Sequence, residues 1–183
     1  ALRQASFNGV SIMTGTGYVS ANFSAWGGFA TTILLIVMFI GGCGGSTTCG
    51  IKVFRLQVLA GTAKVQVNRL LRPHAVVLAY YNKRPVSIEV MDSVMGFFYL
   101  YILGFVVIAL FLGMTGLDFV TALSGAATSI SNVGPGLGEV IGAEGNFSSI
   151  PDSAKWVMSF AMILGRLEIF TVLVMLAPGF WQR

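Results

Sequence analysis

Two short stretches set glycine beside hydroxyl and amide residues with no charge nearby: Thr14-Gly15-Thr16-Gly17-Tyr18 and Ser131-Asn132-Val133-Gly134-Pro135-Gly136. Glycine reaches left-handed backbone angles that turn successive carbonyls toward one axis. Rings of such oxygens replace the water shell of a dehydrated monovalent cation. The carbonyls of Gly15, Thr16, Asn132 and Val133, immediately before Gly17 and Gly134, are therefore the expected ion contacts. The hydroxyls of Thr14 and Ser131 are placed to extend that lining. The competing reading of either stretch alone is an ordinary extracellular turn. Two like loops, each following a helix too short to span a bilayer, favour main chain that re-enters the membrane and lines a wet path.

A third stretch follows directly on the apolar run "ATTILLIVMFI": Gly41, Gly42, Cys43, Gly44, Gly45, Ser46, Thr47, Thr48, Cys49 and Gly50. Half of it is glycine, so it does not continue as a helix. Peptide groups exposed at membrane depth need water or a polar partner, and a conduction path supplies both. Glycines bring alternative loop shapes within a few kcal/mol of one another, while Ser46, Thr47 and Thr48 are expected to satisfy the freed helix ends. The alternative is a small-residue helix interface. A phosphate-binding loop is excluded, because Ile51 stands where that motif requires lysine. Cys43 and Cys49 have neither the spacing nor the histidine partner of a metal or redox site.

Arg166 falls near the middle of "WVMSFAMILGRLEIFTVLVMLAP", where a charge costs about 2.5–3.5 kcal/mol or more. About ten residues, at 1.5 Å each, separate it from either end of the run, too far to snorkel. Glu168 is two positions on and so on another face. Arg166 is expected to point into the protein, toward loop carbonyls or the pore. It then either restricts cation passage or holds helices together through hydrogen bonds.

The elements that must position these groups belong to a membrane protein. The 183 residues are 55% hydrophobic and 10% charged, with mean hydropathy +0.82, against about 25% charged residues in soluble domains. Seven of the eleven Lys and Arg (Lys52, Arg55, Lys64, Arg69, Arg72, Lys83 and Arg84) lie in one segment, which is cytoplasmic by the positive-inside rule. Asp118, Glu139, Glu144 and Asp152 make the opposite side acidic. The net charge of +4 is thus an orientation signal and no nucleic-acid footprint. The basic segment suits anionic lipid or a docking partner. Short helices are expected over 1–13 and 118–129, and spans over 23–40, 87–114 and 154–178. Pro85 is expected to start the third of these five elements. Glu89 and Asp92 stabilise its N-terminus, and Trp26, Trp156 and Trp181 fit interfacial belts. Sliding the chain by 117 residues puts Ala5 on Ala122, Ser11 on Thr128, Thr14 on Ser131, Thr16 on Val133 and Gly17 on Gly134, a sparse internal repeat.

"MTGTGY", "GGCGGSTTCGIK", "SNVGPGLG" and "LGRLEIFTVLVM", in that order, strongly resemble the TrkH/TrkG–KtrB superfamily of bacterial potassium-uptake subunits, with TrkH the nearest branch. The resemblance covers essentially the whole chain. It implies an all-α membrane protein built from four helix–pore-loop–helix repeats around one pore. Residues 1–85 would hold the third repeat's pore helix, filter loop and broken second helix with its cytoplasmic extension, and 86–183 the complete fourth repeat. The chain is then the C-terminal portion of a longer protein. Gly17 and Gly134 match the family's filter glycines, the Gly41–Gly50 stretch an intramembrane gate loop, and Arg166 a positively charged gate element beside it. The resemblance also implies a bacterial inner-membrane homodimer, with the basic segment and C-terminus cytoplasmic, seated on a ring of TrkA-type nucleotide-binding proteins. Nucleotide would bind that ring, with K+ the transported ion here.

Two other classes compete. A coupled carrier with a broken-helix binding site needs an intramembrane carboxylate, and the deeply apolar parts of the spans hold only Glu168, next to Arg166. An intramembrane enzyme using Cys43, Ser46 or Cys49 needs a general base, and the sole histidine, His74, lies in the cytoplasmic segment. One filter glycine per repeat leaves preference for K+ over Na+ open.

Overall fold

Apolar runs punctuated by glycine fold here into helices of unequal length, and that inequality positions the loops. The computed structural model describes residues 1–72, 77–167 and 169–181. In chain order the helices are α1 (Leu2–Met13), α2 (Gly28–Phe39), α3 (Val53–Leu71), α4 (Ile88–Met114), α5 (Phe119–Ser131), α6 (Asp152–Arg166) and α7 (Ile169–Leu176). A two-stranded hairpin, β1 (Tyr80–Tyr81) with β2 (Arg84–Pro85), stands between α3 and α4.

Among the described residues α4 alone is long and apolar enough to cross a bilayer, with 27 residues and a mean hydropathy of 2.5. Only 22% of its apolar window is buried inside the chain, so it is no soluble core helix turned inward. The expected span at 23–40 divides instead into a short 3-10 turn, Phe23–Trp26, and the 12-residue α2. At 1.5 Å per residue α2 reaches about 18 Å, short of a hydrocarbon core about 30 Å thick. The glycine stretch ends it partway. The expected span at 154–178 is likewise not one helix: α6 ends at Arg166, with Leu167 in a turn, and α7 begins at Ile169. Glu168 and His74 lie outside the described residues.

Pro85 does not start α4. It pairs with Tyr80 in the hairpin, whose turn residues Asn82 and Lys83 both take left-handed angles, φ 48° and 63°, as the twist of a two-residue hairpin demands. Ser87 is the residue that precedes α4.

The cores form on either side of α5. One joins α4, α5 and α6 through Phe97, Ile108, Leu112, Ala126, Ile130, Ala154, Met158 and Ala161. The other brings Ile12 of α1 and Leu34 and Met38 of α2 against Ala127, Val133 and Leu137. Close approach of α5 and α6 rests on small residues, and at Gly165 the fit is absolute: a Cβ there would overlap the Ile130 carbonyl oxygen.

Asp118 caps α5, its carboxylate accepting from the Thr121 N–H at 3.2 Å. Hydrogen bonding from the Thr121 side chain, then from the main chain of Thr121 and Val120, outweighs desolvation and holds this carboxyl below its ordinary pKa. A lowered folded-state pKa stabilises the fold above the unfolded value and loses that contribution as pH falls through the folded value. Asp118→Ala should cost about 1 kcal/mol at pH 7, read as a lower thermal midpoint in detergent. The difference from the parent should shrink once the pH drops below the carboxylate range.

Candidate functional site

The two glycine loops are built alike, hydrogen bond for hydrogen bond. After α1, the N–H of Gly15 donates to the Ile12 carbonyl and the N–H of Thr16 to the Ser11 carbonyl. After α5, the N–H of Asn132 donates to Ser129 and that of Val133 to Thr128. Each pair is displaced by the same 117 residues that align the sparse sequence repeat. The next N–H in each loop returns to the same helical position, Gly17 to the Ser11 carbonyl and Gly134 to the Thr128 hydroxyl.

Backbone angles follow suit. Gly15 and Gly17 have φ of 67° and 77°, while Asn132 and Gly134 have 52° and 115°. A left-handed asparagine thus stands where the first loop has glycine. Asparagine tolerates that angle better than other residues with a Cβ. Here its side chain also donates to the Met162 carbonyl of α6 at 3.0 Å.

The loops meet. A Cβ on Gly17 would lie 3.7 Å from Gly134 Cα, and a Cβ on Gly134 would lie 3.6 Å from Gly17 Cα. The Asn132 and Val133 oxygens face the first loop, 3.4 Å and 2.6 Å from the Cβ positions of Gly15 and Gly17. A methyl at Gly17 would therefore strike a carbonyl oxygen. Within the chain Thr14, Thr16 and Gly134 are exposed, Gly15, Gly17 and Asn132 half-buried, and Ser131 and Val133 buried. Thr14 donates back to the Val10 carbonyl and touches the Thr16 hydroxyl. The Ser131 hydroxyl points the other way, into the protein, where it meets Tyr101.

The Gly41–Gly50 stretch is closed at its neck by main chain. Gly41 N–H donates to the Ile51 carbonyl, Ile51 N–H to Phe39, and Val53 N–H to Gly42. Gly41 has no room for a Cβ against the Cys49 carbonyl oxygen, and Gly45 and Gly50 have φ of 84° and 83°. The hydroxyls act differently from expectation: they brace the loop instead of the helix ends, with Ser46 Oγ and Thr48 Oγ1 2.8 Å apart. Cys43 and Gly44 are exposed, and Thr48 approaches Gly15, its Cγ2 3.9 Å from that glycine's Cβ position.

Arg166 reaches this loop. Its Nη1 donates to the Thr47 carbonyl at 2.7 Å and to Cys49 Sγ at 3.7 Å. A cavity of about 160 Å³ lies at the contact, lined by Thr47, Cys49, Arg55, Tyr101 and Arg166 among others. Arg55 packs its guanidinium 3.7 Å over the Phe97 ring on the cavity wall. The two glycine loops, the Gly41–Gly50 stretch and Arg166 are thus contiguous. Tyr101 and Asn132's side chain are the members that motif reading missed; a tyrosine in an apolar helix carries no spacing signal for a partner 30 residues away.

A family model described as TrkH, cation transport protein, matches residues 1–183. The chain is 47% identical over 182 residues to the Trk system potassium uptake protein TrkI of Halomonas elongata, and 43% identical to TrkH of Vibrio parahaemolyticus. Each alignment covers 100% of this chain and 37% of the relative, so the chain spans little more than a third of these proteins' length. The crystal structure of the potassium transporter TrkH from Vibrio parahaemolyticus superposes with a TM-score of 0.88 at 43% identity, covering 97% of this chain and 37% of that one.

Gly165→Ala should force α6 off the Ile130 carbonyl and lower stability by about 1–3 kcal/mol. Gly113→Ala, in open space on α4, should leave the thermal midpoint of the purified protein within a degree or so or raise it slightly. Equal midpoints for the two variants would contradict the packing described.

Proposed function

This chain belongs to the TrkH family of cation transport proteins, and from that premise we propose that it forms part of the conducting pore of a potassium uptake protein. K+ passes as substrate along a filter to which the carbonyls of Gly15, Thr16, Asn132 and Val133 contribute. One observation carries this reading: two loops with matching hydrogen bonds and left-handed angles stand face to face at Gly17 and Gly134. Main-chain oxygens so placed suit a weakly hydrated monovalent cation better than a divalent one, which needs carboxylates. The described residues hold no cluster of three or more metal-ligating side chains.

Residues 1–85 act as the third repeat from its pore helix onward, and 86–183 as the fourth. The Gly41–Gly50 loop is the gate. Its glycines permit another shape at small cost, and the Arg166 bond to Thr47 holds the present one. A guanidinium beside the path raises the barrier to a cation through Coulomb repulsion, a large effect where water is scarce. Loop movement that breaks the bond lets the two separate. The protein works in the bacterial inner membrane as a homodimer, with residues 52–84 and the C-terminus cytoplasmic. The basic segment docks a TrkA-type ring, which carries any nucleotide; the chain itself has no enzymatic role.

Flux of K+, Rb+ and Na+ through the complete protein in liposomes tests both parts. Gly134→Ser places a Cβ at φ 115°, a conformation that costs an L residue about 1–3 kcal/mol, and should erase much of the preference for K+. Arg166→Ala should raise resting K+ flux. Unchanged selectivity in the first, or equal or lower flux from well-folded protein in the second, would refute the corresponding role.

A further inference from the structure

Of the two filter loops, the second has a support that the first lacks. Ser131 ends α5 and directly precedes Asn132, and its hydroxyl lies 2.7 Å from the Tyr101 hydroxyl. Both residues are 2% exposed, so no water competes for the bond. Thr14, the counterpart of Ser131 in the first loop, is exposed and bonds only to its own helix and to Thr16. The first loop braces itself; the second is tied to α4, the longest helix in the chain.

The Tyr101 ring is fixed as well. It stacks on Phe97 with centroids 5.8 Å apart and meets Phe39 edge-on at 6.3 Å. Phe39 is the last residue of α2 before the gate stretch, and Phe97 lies under Arg55. Two aromatic neighbours therefore hold the ring, with its hydroxyl presented to Ser131. The bond spends no further side-chain entropy, since the ring is already held.

We infer that Tyr101 is a positioning residue for ion selection: through Ser131 it sets where the Asn132 and Val133 carbonyls stand. The inference rests on the function proposed above. Discrimination between monovalent cations depends on the spacing and field of the coordinating oxygens. A strand whose first residue is pinned to a rigid helix has less freedom to close around a smaller ion. Without the bond the buried Ser131 hydroxyl is unpaired, and the strand gains by moving to satisfy it.

Tyr101→Phe deletes only the oxygen and keeps the packing with Phe39 and Phe97. In the complete protein reconstituted in planar bilayers or liposomes, the K+/Na+ permeability ratio should fall on the order of three- to tenfold. Ser131→Ala, which cuts the same bond from the other side and leaves the aromatic packing untouched, should do the same. The double variant should be no less selective than the worse single one, because only one bond exists to lose. A Tyr101→Phe protein with the parental ratio overturns the inference, as does a double variant whose loss is the product of the two single losses. A lowered thermal midpoint with an unchanged ratio marks a purely structural tyrosine and overturns it too. If Tyr101→Phe does not fold, the Ser131→Ala ratio decides. A parent protein that passes no K+ refutes the pore function itself; a selective parent beside an unaltered Tyr101→Phe refutes this inference alone.

Discussion

The contact between Gly17 and the Val133–Gly134 peptide governs the rest of the structure. Two stretches of irregular main chain come within van der Waals distance there, which only glycine on the first loop permits. Irregular backbone at membrane depth must be buried in protein or face a wet cavity. Each loop solves half of this by turning its first three N–H groups back onto the helix before it. The carbonyls are left for something outside the loop, and the oxygens of Asn132 and Val133 face the space between the two loops.

Everything around that contact serves to hold it. α1 and α5, of 12 and 13 residues, are too short to cross a bilayer, and their C-terminal ends lead into the two loops. α2 packs between them with Leu34 and Met38 buried against Ala127 and Val133. α6 comes close enough to α5 that only glycine fits at 165. The next residue is Arg166, so the tight approach of α6 to α5 also fixes the starting point of the arginine side chain. Gly41 and Gly165 are 124 residues apart and close the corresponding helices of the two units. The offset exceeds 117 because the acidic segment between α5 and α6 is longer than the segment between α1 and α2. At these matching places one unit breaks into a glycine loop and the other carries the arginine that binds it.

This pairing explains how two unlike sequences meet at one point of the structure. The loop offers a carbonyl at Thr47, and the broken helix offers a guanidinium. Neither is satisfied by its own element. A charge that would be costly in hydrocarbon is instead hydrogen-bonded to main chain, beside a cavity that Thr47, Arg55 and Tyr101 help to line. The bond ties the Gly41–Gly50 loop to the helix that also holds the second glycine loop, since α6 accepts the Asn132 side chain at Met162.

Much of this was legible in the residues. The charge desert between Asp92 and Asp118, the glycine clusters and the isolated Arg166 predicted a long span, three breaks and a charge turned toward loop carbonyls, because hydrocarbon penalises charge and unpaired backbone wherever they occur. The left-handed backbone expected of glycine in the two loops is found at Gly15, Gly17 and Gly134. Helix lengths were less legible. The 23–40 and 154–178 runs are uniformly apolar, and hydropathy has no term for where a helix stops within the membrane. Pro85 was misplaced because a two-residue hairpin and a helix start share their turn residues. What tertiary structure alone decided is partnership: Thr47 for Arg166, Met162 for Asn132, and Tyr101 for Ser131. Composition and period report what each residue must avoid. Which group it meets depends on how helices separated by up to 119 positions pack, and that is set by volumes and small-residue contacts no local pattern encodes.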